Sequence, residues 1–365
     1  MSKLPFDEKE LKVVSETMNF RGQPLPLYDF PVTPKEAYTS FYRDKNPIWM
    51  PTDVESTTLC PSIIPDNIAR AFVFEAKPWG KPYGRHKDMF GIEWVFVPVA
   101  GGSMEDPDIP HLLEDVNDWE EKIVFPDIES WDWEASAELN KSLKENGKAT
   151  VMMWLNGMGF ERLVSFMGFE NAALALVDEE QEDALKALLH KLTDLYIALV
   201  DKSVQYYDVD GFSLHDDWGS QKSPFFSEEA GRKFFLPEMK RYNEHIHSLG
   251  KFTDLHSCGH VEDRCGIFAD AGFDSWTPMP MNDTIALYEK YGDRIAIGVV
   301  NDEPFDPATA TEEEQRAAAR KYAQRFTKPG KLGFWSGFYN APGQMTDAFR
   351  EELYKSTRQL YDAQK

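Results

Sequence analysis

Two side chains with metal-binding chemistry stand two residues apart in the stretch "KFTDLHSCGHVEDRCG", residues 251–266: the imidazole of His256 and the thiol of Cys258. The run "FTDLHS" has the composition of a short β-strand, and side chains two apart on a strand point to the same face. His256 and Cys258 can therefore bind one ion together. A nitrogen donor beside a sulfur donor suits zinc. The alternative is a buried thiol next to a hydrogen-bonded histidine, the commoner fate of such a pair in an arbitrary sequence.

A catalytic zinc takes three protein ligands and keeps an open place, so this pair is one short. Cys265 falls inside the next predicted helix and reads as core, while Cys60 is remote in sequence. Better donors end neighbouring predicted strands: Asp216 and Asp217 in "LHDDWGSQ", and Asn301, Asp302 and Glu303 in "GVVNDEP". The third ligand is expected to be Asp217 or Glu303. Asp216 and Asp217 are the expected catalytic carboxylates, one orienting a ligand or substrate and the other behind it. Adjacent acids at a turn are also, commonly, a solvated surface or a helix cap. His215 alternates away from Asp216 and is open to a structural role. Trp154, Trp276, Trp335, Phe338 and Tyr339 fall on or just after predicted strands; core packing is their default role, and at a barrel mouth they would favour a flat aromatic substrate. Trp154, Trp218, Trp335, Tyr339 and Asn340 are the expected substrate-binding residues.

The elements that must position these groups are legible from residue 149 onward. Short β-like runs, "ATVMMWL", "DGFSLH", "FTDLHS", "DSWTP", "IAIGVV" and "LGFWSGF", alternate with segments long enough for helices. That alternation implies parallel strands with helical crossovers. One crossover carries Leu185, Leu188, Leu192, Leu195 and Leu199 at helical spacing after an Asp178–Gln181 pair that resembles a capping box. Another begins near Thr311, with Glu314 three residues on. Upstream, residues 1–148 are less regular: "NPIWMPT" reads as a strand and "FGIEWVFVPVAGG" as a strand or hairpin arm. No Gly-rich nucleotide loop follows any strand, which favours a (β/α)8 barrel over an open nucleotide-binding sheet. The expectation is an α/β chain forming a single barrel domain over 1–365, irregular over 1–148 and regular over 149–365. In a barrel, chemistry sits where strands end, and "HDDWGSQ", "HSCGH", "NDEP" and "YNAPG" all fall there.

Composition narrows the partners. The chain of 365 residues is 42% hydrophobic and carries a formal charge of -23. A surface so acidic repels phosphate backbones and anionic lipid heads, so nucleic acid and membranes are not expected as partners. The start "MSKLPFDEKELKVVSE" lacks the basic and apolar runs of a signal peptide, and no segment supplies the ~18 apolar residues of a membrane span. Three cysteines without framework spacing agree with a reducing compartment. A cytoplasmic location is expected.

The segment "VDGFSLHDDWGSQKSPFFSEEAGRKFFLPEMKRYNEHIHSLGKFTDLHSCGHVED" resembles the uroporphyrinogen decarboxylase superfamily, in particular its corrinoid-dependent methyltransferase branch. The likeness runs from about Ala149 to the end, through "GVVNDEPF" and "GFWSGFYNAPG". It implies a (β/α)8 barrel, zinc on the strand-end His-x-Cys at His256 and Cys258, and a partner protein that supplies a corrinoid. A homodimer is compatible with it. True decarboxylases of the superfamily lack this His-x-Cys and carry an arginine-rich amino-terminal segment, absent from "NPIWMPTDVESTT". The thiol methyltransferases take a third zinc ligand from a cysteine on the last barrel strand, and residues 334–340 contain none. Fewer thiolates leave zinc a stronger Lewis acid toward oxygen. The resemblance therefore points to an O-demethylase component that moves methyl from a small methoxylated substrate to cobalt(I). A decarboxylase-like lyase, with Arg85 as a cation for the cleft, and a thiol methyltransferase using methyl-corrinoid are the alternatives.

Overall fold

A computed structural model of the chain describes residues 5–18, 24–52, 54–77, 84–99, 102–341 and 343–364. The chain divides into two compact units, one made of Thr58–Asn146 and Thr150–Gly272, the other of Met1–Thr57, Gly147–Ala149 and Phe273–Lys365. Seven strands belong to the α/β part: β1 (Ser56–Leu59), β2 (Ala149–Trp154), β3 (Gly211–His215), β4 (Phe252–Ser257), β5 (Ser275–Pro278), β6 (Ala296–Val299) and β7 (Gly333–Trp335). Each of the six strand signals read downstream of residue 148 is a strand. The architecture is α/β with parallel βα repeats of the TIM-barrel type, with seven strands among the described residues where a full barrel has eight.

In the Thr150–Gly272 unit, β2, β3 and β4 lie parallel, with Met152 paired to Phe212, Leu214 to Leu255 and His215 to His256. Helices α1 (Phe160–Ala175, broken at Gly168) and α2 (Glu182–Tyr207) connect β2 to β3, and α3 (Leu236–Ser248) precedes β4. The strands are buried almost throughout, as expected where helices cover a parallel sheet. All five leucines of the α2 stripe are buried. The capping box expected before α2 is absent. Gln181 is the N-cap and its side chain makes no cap bond, while Asp178 accepts from the Glu180 amide at 2.9 Å and from Gln181 Nε2 at 2.9 Å. The turn is thus closed on itself, one step short of the helix. "FGIEWVFVPVAGG" supplies a hairpin arm, Glu93–Val97, antiparallel to Gly102–Glu105; Ala100 and Gly101 lie outside the described residues.

One buried cation anchors this unit. Arg162, fully buried, donates to Asp66 and, at 3.0 Å, to Asp88, and its guanidinium lies 4.8 Å over the Phe90 ring. A buried charge persists where it is paired and hydrogen-bonded, and Arg162 is both.

The other unit holds β5, β6 and β7 in parallel register, Ser275 to Ala296 and Ile297 to Gly333. α4 (Thr284–Tyr291), α5 (Glu312–Phe326) and α6 (Asp347–Ala363) follow these strands. The Thr311–Glu314 box caps α5 as the sequence indicates: Thr311 accepts the Glu314 amide and Glu314 accepts the Thr311 amide. "NPIWMPT" is not a strand. Pro47 and Pro51 remove ladder donors, and side chains take two of the other amides: Met50 donates to Thr357 Oγ1 at 3.2 Å and Thr52 to Glu55 at 2.8 Å, while the Trp49 indole Nε1 also donates to Glu55 at 2.9 Å. Trp49 stacks on Phe30 at 4.8 Å. A cavity of about 240 Å³ in this unit is lined by residues including Lys45, Arg294, Lys331 and Tyr361. Among the described residues no helix is long and apolar enough to cross a membrane.

Candidate metal centre

Strands β3 and β4 end side by side, and their register sets the site. Because His215 pairs with His256, the two imidazoles leave the same face of the sheet, with ring centroids 4.9 Å apart. One step back on that face, Ser213 donates to Asp254 at 2.8 Å. Two residues beyond His256, Cys258 brings its Sγ to 3.3 Å from His256 Nε2. Asp217 completes the group: Oδ1 accepts the Cys258 amide at 2.7 Å and lies 3.6 Å from His215 Nε2. One ligand atom from each of His215, Asp217, His256 and Cys258 lies within 4.8 Å of the others, and all four residues are half-buried.

Backbone contacts hold the two ligand-bearing loops together. The Asp216 amide donates to the His256 carbonyl at 3.1 Å, the His260 amide to Ser220 at 2.7 Å and the Trp218 amide to Ser257 Oγ at 3.1 Å. Gly259, at φ 100°, sits in a left-handed conformation that favours glycine, and a Cβ there would overlap the backbone of Gly219.

Behind His215 stands a carboxylate. Glu161, in the first turn of α1, accepts from His215 Nδ1 at 2.9 Å and from Arg70 at 2.6 Å; Arg70 also donates to Asn156 at 2.7 Å. Burial alone would raise the Glu161 carboxyl, but Arg70 and His215 pull it down to about 2. Burial opposes a charged His215, yet Glu161 and Asp217 hold its pKa well above the ordinary value, and it also hydrogen-bonds the Cys258 side chain. Burial, with Glu161 adding to it, raises Asp217, and burial raises the Cys258 thiol. Clustered acids that hinder one another's ionisation are what a divalent cation relieves.

The residues singled out in the sequence are placed as follows. His256, Cys258 and Asp217 come together, and His215 joins them. Glu303 is not in the group; it is exposed and ion-paired to Lys321. Asp216, fully buried, accepts the Phe160 amide at 3.2 Å, the Glu161 amide at 2.9 Å and Trp218 Nε1 at 2.7 Å. It caps α1, and burial pushes its carboxyl up to about 7. Gly159 must be small here, since a Cβ would run into that carboxylate. Trp218 is fully buried against Phe226, Phe235 and Phe268. Trp154 packs on Phe212 and Tyr196, and Trp335 on Tyr322 and Phe349. Tyr339 is half-buried beside Phe338, and the Asn340 side-chain Oδ1 accepts the Asn301 backbone amide at 2.7 Å. The three tryptophans therefore offer little surface to a ligand. Cys60 and Cys265 are buried, and Cys265 opens a helix. Arg85 is paired with Asp106.

His215, Glu161 and Arg70 lie outside the donors that the sequence points to. One signal was present: "GFSLH" and "FTDLH" end alike, as adjacent parallel strands do when they present a shared pair.

No family model matches the chain, and no curated protein matches it. Among solved structures, a methyltransferase from Methanosarcina mazei superposes with a TM-score of 0.52 over 88% of this chain and 82% of its own, at 15% sequence identity. The fold is shared with a methyltransferase. A maltogenic alpha-amylase from Thermotoga neapolitana covers 61% of this chain and 58% of its own at 11% identity and a TM-score of 0.31, too slight a likeness to bear on the fold.

Proposed function

We propose that this protein is a zinc-dependent methyltransferase that moves the methyl group of a methoxylated aromatic substrate to a cobalt(I) corrinoid carried by a partner protein. The observation that carries the reading is the convergence of His215, Asp217, His256 and Cys258 at the carboxyl ends of two parallel strands, the end of such a fold where chemistry is done. The methyltransferase fold likeness supports it.

The donor set fits zinc: imidazole nitrogen, one sulfur and a carboxylate oxygen within reach of one another. His256 and Cys258 would hold the ion, with a further donor from the residues beside them. When bound, zinc supplies Lewis-acid stabilisation to the oxygen from which the methyl group departs. A single thiolate donates less charge than two, so this donor set favours a hard oxygen leaving group over activation of a thiol. The methyl carbon leaves its oxygen, which keeps the bonding pair and later takes a proton; the partner's corrinoid is the acceptor. Asp217 fixes the Cys258 loop through the amide it accepts, and Glu161 keeps the His215 ring from turning.

A decarboxylase-like lyase would need cations aimed at a substrate carboxylate. Arg85 is engaged by Asp106, and Arg70, the guanidinium behind the site, by Glu161 and Asn156. The methyltransferase reading is the better supported.

The test is incubation of zinc-loaded and zinc-stripped protein with reduced corrinoid protein and a panel of methoxylated aromatics, following the cobalt absorption spectrum. Methylation that depends on zinc supports the reading. No methylation from any donor, or equal methylation without zinc, overturns it. Methylation of a thiol from methyl-corrinoid in its place would assign the reverse direction.

A further inference from the structure

We infer that His215 is a third protein ligand of the same metal, and that Glu161, anchored by Arg70, is the positioning residue that orients it. This inference rests on the zinc reading above and deepens it.

The two ring nitrogens of His215 have different partners. Nδ1 is 2.9 Å from Glu161, so Nε2 is the nitrogen turned toward the other donors, 3.6 Å from Asp217. The strand register leaves no freedom in where the ring starts, because His215 and His256 are cross-strand neighbours. Imidazoles that ligate metals characteristically hand their second nitrogen to a carboxylate or carbonyl, which fixes the ring and raises its basicity. Here the carboxylate is itself held. Arg70 donates to Glu161 at 2.6 Å and to Asn156 at 2.7 Å, while its guanidinium lies 5.0 Å over the Trp94 ring. Four groups in series, Trp94, Arg70, Glu161 and His215, thus end at one nitrogen facing the cluster.

Asp217 has a different part. Its Oδ1 is committed to the Cys258 amide at 2.7 Å, so it tethers the thiol-bearing loop to the end of β3. With nitrogen from His215 and His256 and sulfur from Cys258, the metal has three protein ligands and an open place, the arrangement of a catalytic zinc.

X-ray absorption on the zinc-loaded wild-type protein counts the ligands without any variant. Two imidazoles and one sulfur are expected; a single imidazole overturns the assignment. Zinc affinity, measured by competition with a chromogenic chelator, tests the positioning role. Glu161→Gln should weaken binding about 10–100-fold, Glu161→Asp should recover part of it, and the cobalt(II)-substituted His215→Gln protein should show a shifted ligand-field spectrum. Unchanged affinity in Glu161→Gln together with an unchanged spectrum in His215→Gln would remove the inference. Failure of the wild-type chain to bind zinc at all would instead remove the zinc reading beneath it.

Discussion

Asp217 accepts the backbone amide of Cys258 at 2.7 Å, so the end of one strand is tied to the loop that follows its neighbour. The tie determines where the thiol can go. Asp217→Ala should free that loop and lower zinc affinity, whereas Asp217→Asn, which keeps a carbonyl acceptor, should lose less. Chelator competition on both variants checks the order; equal loss in the two would mean that Asp217 acts by charge alone.

Cys258→Ala removes the sulfur without touching the buried core, since Cys258 is half-exposed at the end of its strand. Loss of bound zinc and of methyl transfer is expected, with an unchanged circular dichroism spectrum and melting temperature. Full activity in this variant would contradict the proposed chemistry.

Thiol accessibility gives a test independent of turnover. Cys60 is fully buried and burial pushes its pKa far up, and Cys265 is buried in a helix. In the native protein iodoacetamide should therefore modify Cys258 first, and slowly, because burial raises that thiol too. Zinc should protect it. Mass spectrometry of alkylated peptides with and without zinc decides the matter, and unprotected Cys258 would count against its being a ligand.

Arg162→Met leaves Asp66 and Asp88 buried without their cation. A loss of about 3–5 kcal/mol is expected, as when one partner of a buried pair is removed. The sign of its pH dependence follows from Asp88, already pushed up to about 6 by burial and by Asp66 against the pull of Arg162. Without the guanidinium that carboxyl rises further. A raised carboxyl stabilises the folded state in acid and loses that contribution as pH climbs through its folded value. The deficit against wild type should thus be smaller at pH 5 than at pH 8 in urea titrations. A deficit independent of pH would show that charge is not the cause.

The strands from residue 149 onward were legible because each is a short apolar run bounded by Gly, Pro or Asp, and the Thr311 cap because its partner stands three residues away. The placing of His256 and Cys258 side by side was legible for the same local reason. His215 was not, because alternation counted along its own strand says nothing about the neighbouring strand, and the His215–His256 register is a tertiary fact. Glu161 reads locally as an ordinary acid in a helix's first turn; its partner Arg70 is 91 residues away. Asp216 looked catalytic because an acid at a strand end can be, but three N–H donors converge on it and make it a cap. "NPIWMPT" has the apolar run of a strand, but its two prolines prevail in the structure.

At Gly219 and Gly259 the two donor-bearing loops cross with main chain against main chain and no side chain between them. A side chain at Gly259 would have to push the Gly219 main chain aside, so the close approach of the two donor-bearing loops depends on a hydrogen where every other residue carries carbon.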